Sequence, residues 1–380
     1  MKLRPVSEAG ALYSLDLRRA AGILALVVSG GTERLIQAAA SFGRPLMILT
    51  HESMNSLPAS LEALASLDQS HGTAMAFGQN SAELAKVKRF VAAAKALDRM
   101  RNHRIGLVGG PSSWLTYSLP DEKSLEGRFG IKILTIPMQE FDGAYESARK
   151  PLVARLAKEA RSKALSVAEI TDEDLSRSAR ILVALEELVK RHKLTSVSVR
   201  CFDFIGKYGA TGCYAVSFLN DRGVVAGCEG DIPATVAMIT LSEVTGSPTF
   251  LANPTYIRGH RLALAHCTIA PKLTAGYRYR THFESGLGVA ISGALKVRER
   301  VTVARYDREY NVLRAGEGRT IKGDTWSEEL CRTQVEIEMD GDAEIIKENP
   351  MGNHIVMTYG NHVSSLHELA SLAGVRFEKI

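Results

Sequence analysis

Along the first hundred residues, apolar runs of strand length alternate with segments of helix length. The strand-like runs end in glycine or polar residues, and the longer segments carry apolar positions three and four apart. Strands separated by helices are typical of a parallel sheet. The pattern predicts strands at 22–31, 44–51 and 73–78, with helices at 32–43, 56–72 and 81–103.

The same alternation starts again at RIGLVGG (104–110) and predicts further strands at 130–138, 195–204 and 223–228. A long helix precedes the third of these strands. Thr171 followed by Asp174 is an acidic variant of the capping box and predicts where that helix begins. A second parallel-sheet domain is therefore expected.

After about residue 245 the runs become short and β-rich, parted by Gly, Asp and Asn, which favours an antiparallel sheet or barrel. One helix, SSLHELASLAG, is predicted to close the chain. We therefore predict an α/β protein with two doubly wound parallel-sheet domains, 1–102 and 103–245, followed by a β-rich, barrel-like domain, 246–380.

Composition excludes several classes of protein. With 45% hydrophobic and 23% charged residues and 12 prolines, the 380-residue chain is an ordinary globular sequence. The net charge of +5, from 47 basic and 42 acidic residues, is small, so no nucleic-acid partner is expected. No apolar run approaches the roughly 20 residues that span a membrane, and the N-terminus lacks the apolar region of a signal peptide. We expect a cytoplasmic protein without a membrane partner.

Five cysteines, an odd number, favour a reducing compartment over a disulfide framework. Cys201, Cys213, Cys228 and Cys267 lack C-x-x-C spacing. Small buried thiols are therefore expected rather than a zinc site.

Two glycine pairs, Gly30-Gly31 and Gly109-Gly110, follow strands, but neither completes G-x-G-x-x-G or a P-loop. No organic cofactor is expected. A glycine turn before a helix can still bind a polar ligand, and a capped turn with one packed tryptophan is an equally good interpretation. The candidates for sugar contacts beside the second pair are Ser112, Ser113 and Trp114.

Carboxylates stand at two predicted strand ends: Asp203 after one, Glu229 and Asp231 after the next. In an open α/β sheet, ligands bind beyond the carboxyl ends of the strands. Unpaired acids there would repel one another, whereas a divalent cation would hold them together. The alternative for a single strand-end aspartate is a helix cap.

The ten histidines include His266, His282, His354 and His362, which fall in the β-rich part. Any one alone is more often a hydrogen-bonded imidazole than a ligand. Together with the carboxylates they suit Mn²⁺, or Mg²⁺ or Co²⁺, better than a thiolate-seeking structural zinc.

The stretch RCFDF…GATGCYAVSFLNDRGVVAGCEGDIPATVAMITLSEVTGSPTFLANP resembles the core of the L-fucose/L-arabinose isomerase superfamily. AHCTIA, THFESGLGVAISG, GNHIV and VVSGGTE…HESMNSLPASLEAL extend the resemblance over most of the chain, and the shorter fucose-isomerase-like branch, sulfoquinovose isomerases included, is the most similar. The resemblance implies two α/β domains, a β-rich domain, and a homo-oligomer, a hexamer or trimer, with its active site between subunits.

In that family two acids and a late histidine bind Mn²⁺, and the acids also transfer protons. The resemblance places the second acid at Asp231 and the histidine at His354, and makes His266 an additional ligand. Where the family has its first acid this chain has Gly212-Cys213. Asp203 or Glu229 must then take that role.

The predicted function is a metal-dependent aldose–ketose isomerase of an open-chain sugar, working by enediolate proton transfer. Asp203 is expected to be the base opposite Asp231. Glu229 should support Asp231 or the metal, because positions two apart in an extended strand share a face. The expected catalytic and metal residues are thus Asp203, Glu229 and Asp231, with His266 and His354 as further ligands.

The sugar is left open among L-fucose, L-arabinose and sulfoquinovose. A sulfonate would need cationic or amide contacts. Candidate substrate-binding residues, besides the three after the second glycine pair, are Arg200, His51, Asn55 and His282, with Arg258, Arg278 and Arg280 as further cations. The alternatives are a non-catalytic sugar-binding or regulatory protein on the same fold, and a metal-dependent aldolase.

Overall fold

The computed structural model describes residues 4–67, 72–76, 81–167 and 169–380. The strands are β1 Ile23–Leu26, β2 Leu46–Thr50, β3 Gly72–Ala76, β4 Arg104–Val108, β5 Lys132–Ile136, β6 Ser196–Val199, β7 Val225–Cys228, β8 Phe250–Arg258, β9 Arg261–His266, β10 Thr274–Arg280, β11 Ala290–Leu295, β12 Arg300–Tyr306, β13 Val312–Lys322, β14 Thr333–Met339, β15 Ile355–Tyr359 and β16 Arg376–Lys379. The helices are α1 Ala9–Tyr13, α2 Glu33–Ala40, α3 Ser56–Ala65, α4 Ser81–Met100, α5 Glu122–Phe129, α6 Met138–Glu146, α7 Lys150–Lys163, α8 Asp172–Arg191, α9 Asp203–Tyr208, α10 Cys213–Asp221, α11 Ile232–Thr245, α12 Ile345–Glu348 and α13 Val363–Leu372.

The chain divides into two compact units. The first runs to Arg99 and includes Ser364–Val375, and the second comprises Met100–Val363 and Arg376–Ile380. Most of the terminal helix α13 therefore groups with the N-terminal residues. The expectation that this helix closes the chain is wrong, because β16 follows it and pairs with β13. The finer three-domain division stays a prediction.

The first unit holds a parallel sheet in the order β1-β2-β3. β2 is buried along its whole length, as expected of a strand covered on both faces. Residues 68–71 and 77–78, where the predicted second helix and third strand end, lie outside the described residues. Within the described parts the alternation of strand and helix is confirmed.

The second unit begins with a parallel sheet in the order β5-β4-β6-β7. Its longest helix, α8, begins with the predicted capping box, in which Asp174 N donates to Thr171 Oγ1 at 3.1 Å and Thr171 N donates to Asp174 Oδ2 at 2.9 Å. The loops after β4, β6 and β7 leave the same edge of this sheet. The parallel sheets are confirmed, whereas helix packing on both faces of each stays a prediction.

The β-rich region forms a closed barrel of six strands in the order β12-β15-β8-β9-β14-β13, with β13 pairing back to β12. Each neighbouring pair in this ring is antiparallel. β16 adds to β13 in parallel, and β10 with β11 forms a separate antiparallel ribbon. The antiparallel, barrel-like expectation is confirmed.

Helix α11 connects the parallel sheet to the barrel. It is apolar on every side and buried from Ile232 to Leu241, as expected of a helix inside a core. It packs against β6 and β7 of the sheet and against β8, β12 and β15 of the barrel. The start of α11 is thereby fixed where the two layers meet. No helix among the described residues is long and apolar enough to cross a membrane.

Candidate functional site

The turn after β7 has an unusual backbone. Glu229 and Gly230 both have positive φ, +62° and +74°, a region that non-glycine residues rarely adopt. A Cβ on Gly230 would lie 2.6 Å from both Gly110 O and Pro111 Cα, so only glycine fits there. This close approach joins the turn after β7 to the glycine turn after β4.

The same contact corrects one expectation. Ser112 N donates to Glu229 O at 2.8 Å, which holds the left-handed turn in place. Because the backbone is not extended there, the argument that Glu229 and Asp231 share a strand face is wrong. The structure places the two carboxylates at different nitrogens of one imidazole, Asp231 at Nδ1 of His354 and Glu229 at Nε2.

Asp231 is completely buried and is the N-cap of α11. Its Oδ1 accepts from Ala234 N at 2.9 Å, and its Oδ2 accepts from Arg305 Nη1 and lies 2.9 Å from His354 Nδ1. Burial raises the pKa of this carboxyl, but the charge of Arg305 and the hydrogen bond from His354 outweigh it and hold the pKa well below its usual range. Asp231 is therefore an ionised carboxylate with both oxygens engaged.

Arg305, on β12, is 5% exposed and was not predicted from the sequence. Its Nε donates to Met351 O at 2.9 Å and its Nη2 to Ser118 Oγ at 2.8 Å. The sequence contains a signal for a buried arginine here, because Arg305 follows Val301 and Val303 at strand spacing on a buried face. A cation that ends an apolar stripe needs a buried partner.

His354, immediately before β15, is completely buried. The Asp231 carboxylate can only accept, so the imidazole Nδ1 donates to it. Nε2 lies 3.4 Å from Glu229 Oε1 and makes no hydrogen bond within the described part of the chain. Burial lowers the pKa of His354, but the hydrogen bond to Asp231 and the charges of the Asp231 and Glu229 carboxylates outweigh it and raise the pKa to about 9.

Glu229 and His266 are held in the same manner. Trp114 Nε1 donates to Glu229 Oε2 at 2.7 Å, and His266 Nδ1 lies 2.8 Å from Thr268 Oγ1. Burial raises the pKa of Glu229, yet the nearby His354 imidazole outweighs it and lowers the pKa to about 2. Burial, helped by His354, lowers the pKa of His266 to about 4.

Glu229, His266 and His354 form a buried cluster whose ligand atoms all lie within 4.8 Å of one another. In each residue the second polar atom is engaged, by Trp114, Thr268 or Asp231 respectively. Outer hydrogen bonds of this kind orient metal ligands and fix histidine tautomers. Nε2 of His354 faces Glu229 Oε1 within this cluster at 3.4 Å. Two imidazoles and one carboxylate in this arrangement fit a divalent metal.

The predicted base, Asp203, lies outside this cluster. The predicted strand to residue 204 is wrong, because β6 ends at Val199 and Asp203 is the first residue of helix α9. Asp203 Oδ1 is 3.0 Å from Arg200 Nε, and both side chains are about a third exposed, 38% and 36%. The intervening Phe202 packs edge-on against Trp114, with ring centroids 5.0 Å apart, and against His282 at 5.5 Å. The Arg200–Asp203 pair is therefore connected to the cluster through Phe202, whose ring contacts Trp114, the residue that donates to Glu229.

The other predicted contact residues are placed as follows. Ser112 is buried with no partner for its hydroxyl among the described residues, Ser113 is exposed, and His282 is buried with Nδ1 3.1 Å from Ser285 Oγ. In the first unit, His51 bonds Ser53 and Val28 O, and Asn55 precedes α3 with a left-handed backbone. Of the further arginines, Arg278 pairs with Asp324, Arg280 pairs with Glu169 and Glu328, and Arg258 stacks on Tyr256. The structure brings none of these three arginines to the cluster through these contacts.

Cys228 and Cys267 are adjacent in sequence to residues of the cluster, but each packs with another cysteine. Cys228 precedes Glu229, and its Sγ is 3.0 Å from that of Cys201. Cys267 follows His266 and packs with Cys213. These four cysteines are buried free thiols, as predicted.

Comparison with known proteins supports a relation to sugar isomerases. No protein-family model matches the chain. The sulfoquinovose isomerase of Clostridium sp. (strain MSTE9) is 22% identical over 314 residues, which cover 79% of this chain and 70% of that protein. The sulfoquinovose isomerases of Priestia aryabhattai and of Priestia megaterium (strain ATCC 12872 / QMB1551) are each 23% identical over 333 residues, 80% of this chain and 70% of theirs. At this low identity, the chain is similar to sulfoquinovose isomerases.

Proposed function

We propose that the protein is a metal-dependent aldose–ketose isomerase and that its substrate is an open-chain sulfosugar of the sulfoquinovose type. The observation that carries the proposal is the buried cluster of Glu229, His266 and His354, in which Nε2 of His354 lies 3.4 Å from Glu229 Oε1. The similarity to sulfoquinovose isomerases supports the substrate class. L-fucose and L-arabinose are the competing substrates.

Glu229 Oε1, His266 Nε2 and His354 Nε2 would hold the ion, because their other polar atoms are already engaged. A divalent ion such as Mn²⁺ would act there as a Lewis acid on the oxygens of the sugar. Oxygen and imidazole donors suit Mn²⁺, Mg²⁺ or Co²⁺. No organic cofactor is required, since the reaction moves protons within one molecule.

Asp203 is the proposed proton carrier. It would remove the proton from C2 and return it to C1, while the hydroxyl proton on O2 passes to O1. Asp231 is unsuited to this step, because it is completely buried and both its oxygens accept hydrogen bonds. Asp203 is partly exposed and beside Phe202, within reach of a sugar that packs on the aromatic groups.

Arg200 is the proposed contact for the sulfonate. Its side chain is partly exposed and pairs with Asp203 Oδ1. Arginine presents several N–H donors in a plane, which suits a tetrahedral anionic head group. A cation here would also select against fucose and arabinose, which offer no anion.

The test is a ketose-formation assay with sulfoquinovose, L-fucose and L-arabinose on protein stripped with EDTA and then resupplied with Mn²⁺. We expect turnover of sulfoquinovose that needs the metal, and loss of that turnover in Glu229→Gln. Asp203→Asn should retain Mn²⁺ binding but stop exchange of the C2 hydrogen with solvent deuterium. Turnover by fully metal-free protein, or no turnover of any of the three sugars, would refute the proposal.

The homo-oligomer, a hexamer or trimer with the active site between subunits, is part of the same proposal. Trp114, Tyr117 and Leu119, on the loop after β4, are 49%, 38% and 46% exposed. Exposed apolar side chains on a loop that contacts the cluster through Trp114 are the kind of surface that a neighbouring subunit would bury. Analytical ultracentrifugation should show the oligomer, and a fully active monomer would contradict it.

A further inference from the structure

Asp231 contacts Nδ1 of His354 and pairs with Arg305. Both side chains are almost inaccessible, 0% and 6% exposed respectively. An isolated charge at such a position is costly, so each needs the other. Both carboxylate oxygens of Asp231 accept hydrogen bonds, and a carboxylate engaged in this way is poorly placed to shuttle protons. The pair must therefore serve another purpose than transferring a proton.

The guanidinium of Arg305 contacts three separate segments. It donates to Met351 O just before His354, to Ser118 Oγ on the loop after β4, and to Asp231 at the start of α11. The orientation of the Asp231 carboxylate is thereby fixed relative to the segment that carries His354. The planar guanidinium of Arg305 thus connects Asp231, the partner of His354 Nδ1, to the segment that carries His354.

We propose that Arg305 and Asp231 are positioning residues for the metal ligand His354. Arg305 holds the carboxylate of Asp231, which keeps the imidazole proton on Nδ1 and turns Nε2 toward Glu229 and His266. This inference rests on the proposed function, because it requires a divalent ion at those three residues. It gives Asp231 the role of orienting a ligand, in place of the ligand and proton-transfer roles expected from the sequence.

The barrel supplies a matched control. Arg314 on β13 is the cross-strand partner of Arg305 on β12 and is 3% exposed. Its guanidinium donates to Glu378 Oε2 at 2.8 Å and to Asn349 O at 2.6 Å. It is an equally buried arginine whose bonds do not involve the cluster. A general loss of barrel stability would affect both positions alike.

The experiment measures Mn²⁺ binding by isothermal titration calorimetry in the metal-stripped wild type, Arg305→Met and Arg314→Met, with circular dichroism to confirm folding. Loss of an outer partner of a metal ligand usually weakens binding about 10- to 100-fold. We expect that loss for Arg305→Met and wild-type affinity for Arg314→Met. The visible absorption of bound Co²⁺ should also change in Arg305→Met alone. Arg305→Lys keeps the charge without the three-way contact and should bind with intermediate affinity.

A second comparison tests whether Arg305 acts through Asp231. Asp231→Asn should weaken Mn²⁺ binding, and adding Arg305→Met should weaken it little further, because coupled residues are not additive. Wild-type affinity in Arg305→Met, an equal loss in Arg314→Met, or full additivity in the double variant would each overturn the inference. If Arg305→Met does not fold, Arg305→Lys decides the same question.

The outcomes separate this inference from the proposed function. A wild type that binds no Mn²⁺, Mg²⁺ or Co²⁺ removes the metal site and the inference together. A wild type that binds metal but isomerises no sugar removes the proposed activity and leaves the positioning role standing. A wild type that binds metal and is unaffected by Arg305→Met removes the inference alone.

Discussion

The two parallel sheets of this protein begin alike. In each unit the first strand of the sheet, β1 or β4, is followed by a glycine pair, Gly30-Gly31 or Gly109-Gly110. In each pair the second glycine has a left-handed backbone, with φ of +77° and +81°. Among the described residues, however, every buried charged or imidazole side chain lies in the second unit, and the buried polar groups of the first are the hydroxyls of Thr50, Ser56 and Ser60.

The two units differ in the side chains that lie beside the ends of their strands. In the second unit the barrel supplies Arg305, His266 and His354 beside the carboxylates at the end of β7. Those cations and imidazoles compensate charges that would otherwise be too costly to bury. In the first unit His51 hydrogen-bonds to the adjacent Ser53 and to Val28 O and stays partly exposed. In the second unit, the buried polar cluster forms where the barrel meets a strand edge with glycine turns.

The largest expected effect comes from comparing two left-handed glycines. A Cβ at Gly31 meets nothing within 4 Å, so Gly31→Ala should cost only backbone strain of about 1–2 kcal/mol. Gly230→Ala adds a clash with backbone atoms at 2.6 Å, and such overpacking costs roughly a further 1–3 kcal/mol. Urea unfolding should show the larger loss for Gly230→Ala, together with weaker Mn²⁺ binding. Equal losses would mean that the contact with the turn after β4 is unimportant.

A smaller effect is expected from the indole that holds Glu229. Trp114→Phe keeps an aromatic ring against Phe202 but removes the Nε1 donor to Glu229 Oε2. Mn²⁺ affinity measured by calorimetry should fall by about 10-fold, as is usual when an outer hydrogen bond to a ligand is lost. Trp326→Phe is the control, since Trp326 stacks with Lys322 on the barrel. Unchanged affinity in Trp114→Phe would show that Glu229 is held without the indole.

The smallest effect concerns a partly exposed counterpart of the buried carboxylate–imidazole pair. Glu140 Oε1 lies 2.7 Å from His192 Nε2, and the side chains are 31% and 25% exposed. The hydrogen bond from His192 lowers the pKa of Glu140 below its ordinary value of 4.5. A lowered carboxyl pKa stabilises the fold above pH 4.5, and this contribution is lost as the pH falls through the folded-state pKa.

Glu140→Gln should therefore destabilise the protein by less than about 1 kcal/mol at pH 7, as exposed pairs do. The difference between variant and wild type should disappear in thermal unfolding below the folded-state pKa of Glu140. A loss as large as that of a buried pair would contradict the contrast between exposed and covered pairs. A difference that grows at acidic pH would contradict the sign.

The fold was largely predictable, because most helices and strands have a local sequence signal. Strand and helix periods mark the two sheets, and Thr171 with Asp174 marks the start of α8. The β-rich texture after residue 245 indicates an antiparallel layer, although closure of the barrel through the pairing of β12 with β13 is a long-range contact. The placement of α13 with the N-terminal residues was not predictable, since nothing in its sequence names its packing partner.

For the candidate site, the sequence by itself named Glu229, His266 and His354, which the structure brings into one cluster. Their residue types and their similarity to an isomerase family were sufficient for that. Only the tertiary structure decided that Asp231 contacts Arg305 and Nδ1 of His354, while Glu229 lies beside Nε2 of His354 in the cluster with His266. The reason is physical: one left-handed turn between two carboxylates, fixed by the close approach of Gly230 to Gly110, separates residues that a strand period would have placed together.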